Sequence, residues 1–237
     1  MTEWFERWFG ETYLALYPHR DEQEAERVVA LLERLGVIGP GRVVDLACGA
    51  GRFLVALAGR GATVAGLDLS LPLLRTARGR GAQRLVRADV RALPIASGAL
   101  DAVLNLFTSF GYFEDDGEHQ RVLAEVARVL KPGGHFVLDF LNAPQVRATL
   151  VARDERRLGE SVVVQERRIS DDGRFVVKTI HLSGEGQSFM ERVRLLERAD
   201  LERMFAAAGL TVERVLGDYE GGAHGPHSPR CLLVAHS

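Results

Sequence analysis

Short apolar runs alternate with amphipathic segments through the middle of the chain. The runs lie at residues 42–47, 62–69, 83–89, 100–107 and 135–142. Between them, apolar residues recur at helical spacing at about 52–60, 71–79 and 118–130, and "KPGG" (131–134) is expected to end the last helix in a turn. Strands and helices that alternate in this way favour right-handed crossovers and a parallel sheet covered on both faces. The pattern predicts a doubly wound α/β fold.

The periodicity changes after residue 142. Residues 160–198 alternate like strands, with "SDDG" and "SGEG" as turn signals between three segments. We therefore expect an inserted three-stranded antiparallel meander. Because a sheet of this size must bury one face, it should either cover a substrate pocket or form a homodimer contact. The apolar candidates for the buried face are Phe175, Val177, Ile180, Val162 and Val164.

These changes of pattern divide the chain into four parts. We expect residues 1–40 to form an N-terminal helical cap, 41–142 the core with the parallel strands, 143–198 the meander insertion, and 199–237 the completion of the core sheet. The first part is rich in aromatic residues at helical spacing. It is interpreted either as a lid over a binding site in the core or as a helix packed on the edge of the sheet.

The composition of the chain argues against nucleic acid and membranes as binding partners. The 237 residues carry a formal net charge of −2, which provides no basic field for nucleic acid or an anionic membrane. No apolar run approaches the ~18 residues of a membrane span, and the N-terminus lacks the features of a signal peptide. Cys48 and Cys231 are far apart and without metal-type spacing, as expected for reduced thiols. A small-molecule substrate and a cytoplasmic location are the expectations.

The first candidate ligand-binding motif is "VVDLACGAGRF" (43–53), which indicates a buried strand, a glycine turn and a helix. Glycines let backbone N–H groups approach a ligand closely. Asp68 ends the second strand, nineteen residues after Gly49, where a carboxylate can accept hydrogen bonds from two ribose hydroxyls. This spacing suggests an adenosine cofactor. Leu54 occupies the position where a dinucleotide fingerprint needs a small residue, so a pyrophosphate site is disfavoured.

Five segments in order and spacing resemble the class I S-adenosylmethionine-dependent methyltransferases across residues 41–142. They are "VVDLACGAGRF", "VAGLDLS", "VRADVRALPI", "LDAVLNLFTSFGYF" and "VLAEVARVLKPGGHFVLDF". The resemblance implies a Rossmann-like, seven-stranded, mostly parallel sheet. It also implies S-adenosylmethionine as cofactor and S-adenosylhomocysteine as product.

The same resemblance implies cofactor-binding roles for individual residues. The methionine part would lie against Ala47, Gly49 and Gly51, the ribose at Asp68 with Leu69, the adenine at Asp89 with Val90, and the sulfonium near Leu106. Asp68 and Asp89 have an alternative interpretation as N-caps of following helices.

The acceptor class is narrowed by the segment after the fourth strand. Residues 105–112 lack the Asn-Pro-Pro-Tyr-like tetrad of family members that methylate adenine or glutamine amides. The chain therefore looks most like methyltransferases that act on nitrogen or oxygen of small molecules. The alternatives are a non-catalytic cofactor-binding protein, an RNA or protein methyltransferase, and an NAD-dependent oxidoreductase.

Candidate acceptor-side residues come from both ends of the chain. Tyr17 is expected to contact the cofactor and Tyr13 to face the acceptor. The loop 217–230 contains His224 and His227, which lack a third metal ligand at a recognisable spacing, so no metal site is expected. They are either surface residues or acceptor-binding residues. His227 is the candidate general base, because imidazole exchanges a proton near neutral pH.

Overall fold

The computed structural model describes residues 3–17, 22–158, 161–183 and 186–237. The strands are β1 (Arg42–Leu46), β2 (Thr63–Asp68), β3 (Leu85–Arg87), β4 (Leu100–Asn105), β5 (Leu130–Leu141), β6 (Arg153–Leu158), β7 (Ser161–Ile169), β8 (Phe175–Leu182), β9 (Gln187–Arg194), β10 (Thr211–Leu216) and β11 (Arg230–His236). The helices are α1 (Trp4–Trp8), α2 (Glu11–Leu16), α3 (Glu22–Arg34), α4 (Arg52–Leu57), α5 (Leu71–Gly79), α6 (Asp116–Val129), α7 (Ala143–Thr149) and α8 (Arg198–Ala207). No described helix is long and apolar enough to cross a membrane.

The main sheet has seven strands in the order β10-β11-β5-β4-β1-β2-β3. Strands β1 to β5 pair in parallel, and β11 pairs antiparallel with both β5 and β10. The predicted doubly wound, mostly parallel fold is confirmed. The chain progresses outward in opposite directions from β1 and β4, so a crevice opens where their carboxyl ends diverge.

Both faces of the main sheet are covered by helices. Helix α3 buries Val28, Val29 and Leu32 with α4 on one face. Helix α6 buries Val122 and Val126 on the other face, in the cluster that includes residues of α8. These apolar stripes fix the helices on the sheet and leave its carboxyl edge to the connecting turns.

The segment that follows α6 contains the predicted turn, which lies inside a longer strand. Helix α6 ends at Val129 and β5 begins at Leu130. The pairing of β5 with β4 passes from Leu130 directly to His135, and Gly133 has a φ value of 75°, so "KPGG" forms an irregular turn within the strand. The N–H of Gly133 donates to the carbonyl of Ser237, and the N–H of Ser237 donates to the carbonyl of Gly134, which holds this turn in place.

The insertion is a sheet of four antiparallel strands, β6-β7-β8-β9, and not three. Strand β6 was missed because its sequence "RDERRL" contains no apolar alternation. Charged residues are typical of an edge strand, where they discourage pairing with another chain. The inner face of the insertion carries Val163 and Ile180, which pack against Trp8, Tyr13 and other residues of the N-terminal segment. Because this face is covered within the chain, its burial does not require a homodimer.

Helix α6 also buries a titratable group beside the crevice. The side chain of His119 is fully buried between Phe110 and Phe113, whose ring centroids lie 5.1 and 5.2 Å from the imidazole. The N–H of Phe113 donates to Nε2 of His119 at 3.3 Å. Burial lowers the pKa of His119 to about 4, although the carboxylate of Asp116 acts in the opposite direction.

We expect His119 to make the fold acid-sensitive. Between its ordinary pKa of 6.5 and a folded-state pKa of about 4, the unfolded chain binds a proton that the folded chain does not. The free energy of unfolding therefore falls with decreasing pH, by about 3 kcal/mol in all from this group. In His119→Gln an amide oxygen can still accept from Phe113, but no proton binds. Urea unfolding from pH 7.5 to 4.5 should give a flatter profile for the variant, and parallel profiles would contradict this assignment.

Candidate active site

A cavity of about 1000 Å³ lies at the carboxyl edge of the main sheet. One wall is built from the turns after β1, β2, β3 and β4. The opposite wall is built from the N-terminal segment and from strands β8 and β9 of the insertion. Two sheets of different architecture therefore enclose one space.

The glycine turn after β1 is tight and left-handed. Ala47, Gly49 and Gly51 have φ values of 55°, 55° and 79°. A Cβ on Gly51 would lie 2.8 Å from the Cβ of Ala77, whereas one on Gly49 would meet nothing within 4 Å. Ala47 and Gly49 line the cavity, but Gly51 is not among its described lining residues. Gly51 therefore has a packing role against α5, and its contact with the cofactor stays a prediction.

Asp68 links the ends of β1 and β2. Its carboxylate accepts from the N–H of Gly49 at 2.8 Å and from the N–H of Ser70 at 2.7 Å. Burial raises its pKa, and these backbone hydrogen bonds act against that shift. The N-cap of α5 is Ser70, whose hydroxyl accepts from Leu73, so the alternative interpretation of Asp68 as the cap is wrong.

Asp89 lies in the turn after β3 and is held by Arg91. Its two oxygens accept three hydrogen bonds from the Arg91 side chain and one from the Arg91 N–H. Partial burial opposes ionisation, but the bonds from Arg91 outweigh it and lower the pKa of Asp89. Leu69 and Val90 line the cavity on either side and offer apolar surface for a flat ring.

Asp45 is a lining residue that the sequence-based reasoning missed. It is 1% exposed, and among the described residues its Oδ2 has no hydrogen-bond partner. Burial and the neighbouring charge of Asp68 raise the pKa of Asp45 to about 8, against the influence of Arg52. A lone carboxylate inside the apolar run "RVVDLA" is the signal that could have identified it.

The turn after β4 is strained where it borders the cavity. Phe107 and Thr108 both have φ values of 59°, a left-handed conformation that disfavours residues with a Cβ. Leu106 is buried and lines the cavity just before them. The guanidinium of Arg52 stacks at 4.1 Å from the ring of Phe107. Strain of this kind persists only where the surroundings enforce it.

Asp139 enforces that conformation. Its side chain is fully buried and accepts from the Phe107 N–H at 2.8 Å, the Tyr219 hydroxyl at 2.8 Å and Nε of Arg230 at 2.7 Å. Arg230 also donates to the hydroxyl of Thr108 at 2.9 Å. One carboxylate therefore fixes the turn after β4, the loop after β10 and the first residue of β11.

The histidines of the loop 217–230 lie elsewhere. Nε2 of His224 lies 3.3 Å from Oδ1 of Asn142, and burial lowers the pKa of His224. His227 is exposed and is not among the described residues that line the cavity. The structure thus gives no support to His227 as a general base, and this loop reaches the site through Tyr219 and Arg230. Among the described residues, no group of three ligands could hold a metal ion.

The N-terminal segment forms an aromatic wall. Tyr13 and Tyr17 both line the cavity, together with Trp4, Phe9 and Tyr112. The rings are in mutual contact, with centroids 5.0 Å apart for Phe9 and Tyr13 and 5.2 Å apart for Tyr13 and Tyr17. The two predicted tyrosines are thus brought to the same cavity as Gly49 and Asp68.

Comparison with known proteins identifies the class. Residues 43–134 match the family model of a methyltransferase domain. A demethylmenaquinone methyltransferase from Thermus thermophilus is 40% identical over 122 residues, 48% of this chain and 54% of that protein. The chain thus spans about half the length of that relative.

Two further proteins match over more of their length. A dTDP-3-amino-3,4,6-trideoxy-alpha-D-glucopyranose N,N-dimethyltransferase from Streptomyces venezuelae is 31% identical over 194 residues, 77% of this chain and 79% of that protein. The structure of a SAM-bound amino pentose methyltransferase from Micromonospora echinaspora has a TM-score of 0.69 and 25% identity, with 95% of this chain and 96% of that one covered. The chain belongs to the S-adenosylmethionine-dependent methyltransferases, and S-adenosylmethionine is its cofactor.

The wall built from the turns after β1 to β4, called the first wall below, has the features that this cofactor needs. Gly49 is open towards the cavity, and the Asp45 oxygen has no partner within the described residues. A buried acceptor of this kind suits the cationic ammonium group of the methionine part. The carboxylate of Asp68 and the apolar pair of Leu69 and Val90 follow at the ends of β2 and β3.

We expect the ion pair between Asp139 and Arg230 to make the largest contribution to the stability of the carboxyl edge of the main sheet. Arg230→Met would leave the buried carboxylate without its cation and should lower the free energy of unfolding by roughly 3–5 kcal/mol. Tyr219→Phe removes one neutral donor to the same carboxylate and should lower it by roughly 1.5–3 kcal/mol. Urea unfolding measures both, and equal losses would show that charge is not the dominant contribution.

Proposed function

We propose that this protein transfers the methyl group of S-adenosylmethionine to a nitrogen or oxygen of a small molecule, with an amine favoured. The supporting observation is the two-walled cavity. Its volume of about 1000 Å³ is at the upper end of the range for single-ligand sites, which leaves room for a cofactor and a small acceptor. The aromatic wall and the insertion close the side opposite the glycine turn.

On this proposal the first wall holds the cofactor. Ala47, Gly49 and Asp45 contact the methionine part, and Asp68 accepts from the ribose hydroxyls. The adenine-binding group consists of Leu69, Asp89 and Val90. Leu106 lies beside the sulfonium, and Tyr17 closes over it, where an aromatic ring is attracted to a cation.

When bound, the cofactor supplies an electrophilic methyl group for an in-line displacement. The residues of the chain contribute position, alignment and exclusion of water, and proximity alone can lower such a barrier by roughly 7–11 kcal/mol in well-aligned cases. Tyr13 orients the acceptor from the aromatic wall. No sulfur or histidine nucleophile is needed.

An amine is favoured by the chemistry of the transfer and by the relatives of this chain, although carboxylates such as Glu191 also line the cavity and could serve a hydroxyl acceptor as base. A neutral amine attacks with its lone pair and loses its proton after the methyl group has moved, whereas a hydroxyl needs a base during the attack. The relatives that act on amino sugars are consistent with this choice. The net charge of −2 gives no support to an RNA acceptor.

Two measurements test the proposed function. Calorimetry should detect binding of S-adenosylhomocysteine and none of NAD. A screen with radiolabelled methyl-S-adenosylmethionine against small amines and hydroxy compounds should then label amines. A protein that binds S-adenosylhomocysteine but labels no acceptor would be a cofactor-binding protein without catalysis.

Asp68→Ala should weaken binding of S-adenosylhomocysteine by about 10- to 150-fold, which corresponds to roughly 1.5–3 kcal/mol for hydrogen bonds to a charged group. Calorimetry gives the affinity. Because Asp68 also accepts from Gly49 and Ser70, the melting temperature of the ligand-free variant is the necessary control. An unchanged affinity would contradict the ribose assignment.

Asp45 should make cofactor binding depend on pH. With a pKa of about 8 it is mostly protonated at pH 7, and a cationic ammonium group favours its ionised form. Binding of S-adenosylhomocysteine should therefore release a proton, and the affinity should rise from pH 6.5 to 8, at most about tenfold per unit. Calorimetry in buffers of different ionisation enthalpy counts the protons. Asp45→Asn should bind more weakly with a flat profile, and a flat wild-type profile would contradict the assignment.

A further inference from the structure

Two charged residues of the insertion face the cavity from the wall opposite the glycine turn. Lys178 on β8 and Glu191 on β9 are direct cross-strand partners. Their side chains are only 17% and 21% exposed, and both line the cavity. None of the cofactor roles proposed above involves them.

The pair has further hydrogen-bonding capacity. Nζ of Lys178 donates to Oε2 of Glu191 at 3.0 Å and to the hydroxyl of Tyr17 at 2.8 Å. Oε1 of Glu191 accepts from Nε1 of Trp8 at 2.6 Å. An ammonium group has three donors and a carboxylate about four acceptor sites, so the pair can donate to a ligand and accept from it.

The charges of the pair restrict the ligand class. An anionic group that approached Lys178 would be repelled by Glu191, and a cationic group that approached Glu191 would be repelled by Lys178. Neighbouring hydroxyl groups suit the site better, because each hydroxyl both donates and accepts and neither carries charge. Hydrogen bonds to ionised partners are also about twice as strong as neutral ones.

The aromatic residues that line the cavity with Lys178 and Glu191 suit a saturated ring that carries such hydroxyl groups. The aromatic wall that contains Trp4, Phe9, Tyr13 and Tyr112 lines the same cavity. Flat aromatic faces pack against the C–H groups of a saturated ring, and a polar pair at one end can then bind its hydroxyls. Such a site offers both kinds of contact to a carbohydrate.

We propose that Lys178 and Glu191 bind a pair of adjacent hydroxyl groups on the acceptor, which makes the acceptor an amino sugar or a similar amino polyol. This inference rests on the proposed function. The rival role for the pair is structural, in which it only attaches Trp8 and Tyr17 to the insertion.

The test measures acceptor binding directly, with S-adenosylhomocysteine present at saturation. The probes are 2-amino- and 3-amino-deoxyglucose, each beside an analogue that lacks two adjacent ring hydroxyls but keeps the amine. Titration followed by NMR should give the wild-type protein at least a roughly tenfold preference for one complete sugar over its analogue.

The variants Lys178→Met and Glu191→Gln should both lose that preference, and Glu191→Gln, which keeps the hydrogen bond from Lys178 to Tyr17, should change the affinity for S-adenosylhomocysteine by less than about twofold. The matched control is Arg153→Met. Arg153 and Glu166 are also cross-strand partners in the insertion, with 3.4 Å between Nη1 of Arg153 and Oε1 of Glu166. Neither residue is among the described residues that line the cavity. This control should retain the wild-type preference.

Three results would overturn the inference. The first is a wild-type protein that binds S-adenosylhomocysteine but neither sugar, and the second is one that binds sugar and analogue equally. The third is a pair of variants with lowered melting temperature that keep the preference, which would establish the structural role alone. Failure of the wild-type protein to bind S-adenosylhomocysteine would instead reject the proposed function, and the inference with it.

Discussion

The buried carboxylate of Asp139 is the interaction on which the geometry of the cavity depends most. It lies in β5, between β4 and β11, where water cannot reach it, so its charge must be compensated by the chain. Arg230 provides that charge from the start of β11, 91 residues later. Asp139 accepts from the backbone N–H groups of Phe107 and Thr108, and Arg230 of β11 adds a hydrogen bond to the hydroxyl of Thr108. The conformation of the turn after β4 therefore depends on residues far along the chain, whereas the glycine turn after β1 depends mainly on residues near it in sequence.

A second electrostatic constraint lies on the other side of the turn. Asp45 and Asp68 end adjacent parallel strands, and both are buried. Burial raises the pKa of both residues, and the charge of Asp68 raises the pKa of Asp45 further. Backbone N–H groups oppose this shift at Asp68. At Asp45 the charge of Arg52 gives partial relief, and the ammonium group of the cofactor would add to it in the proposed binding mode.

The sequence was informative where the determining contacts are local. The glycine turn, the spacing from Gly49 to Asp68 and the alternation of strands with helices all depend on residues close together in the chain, and the structure agrees with each prediction. The insertion was predicted less well, because its buried face is set by packing against Trp8 and Tyr13. Val162 and Val164 were expected to be buried, whereas Val163 is, and this change of one residue reverses the face of β7. The partners of Asp139 lie too far apart in sequence for any spacing rule to find them.

The cavity lies between two sheets. On the proposed assignment, the turns of the main sheet bind the cofactor and the insertion binds the acceptor. The wall proposed for the cofactor is constrained by left-handed backbone, by close packing at Gly51 and by buried charge. Lys178 and Glu191 lie in a separate sheet, and neither contacts the glycine turn or Asp139 through a hydrogen bond described above. On the proposed assignment, changes in the insertion would alter acceptor binding with little effect on the residues around the glycine turn. Strand β9 packs against α1, so the same changes would also adjust how the aromatic wall closes over the reacting groups.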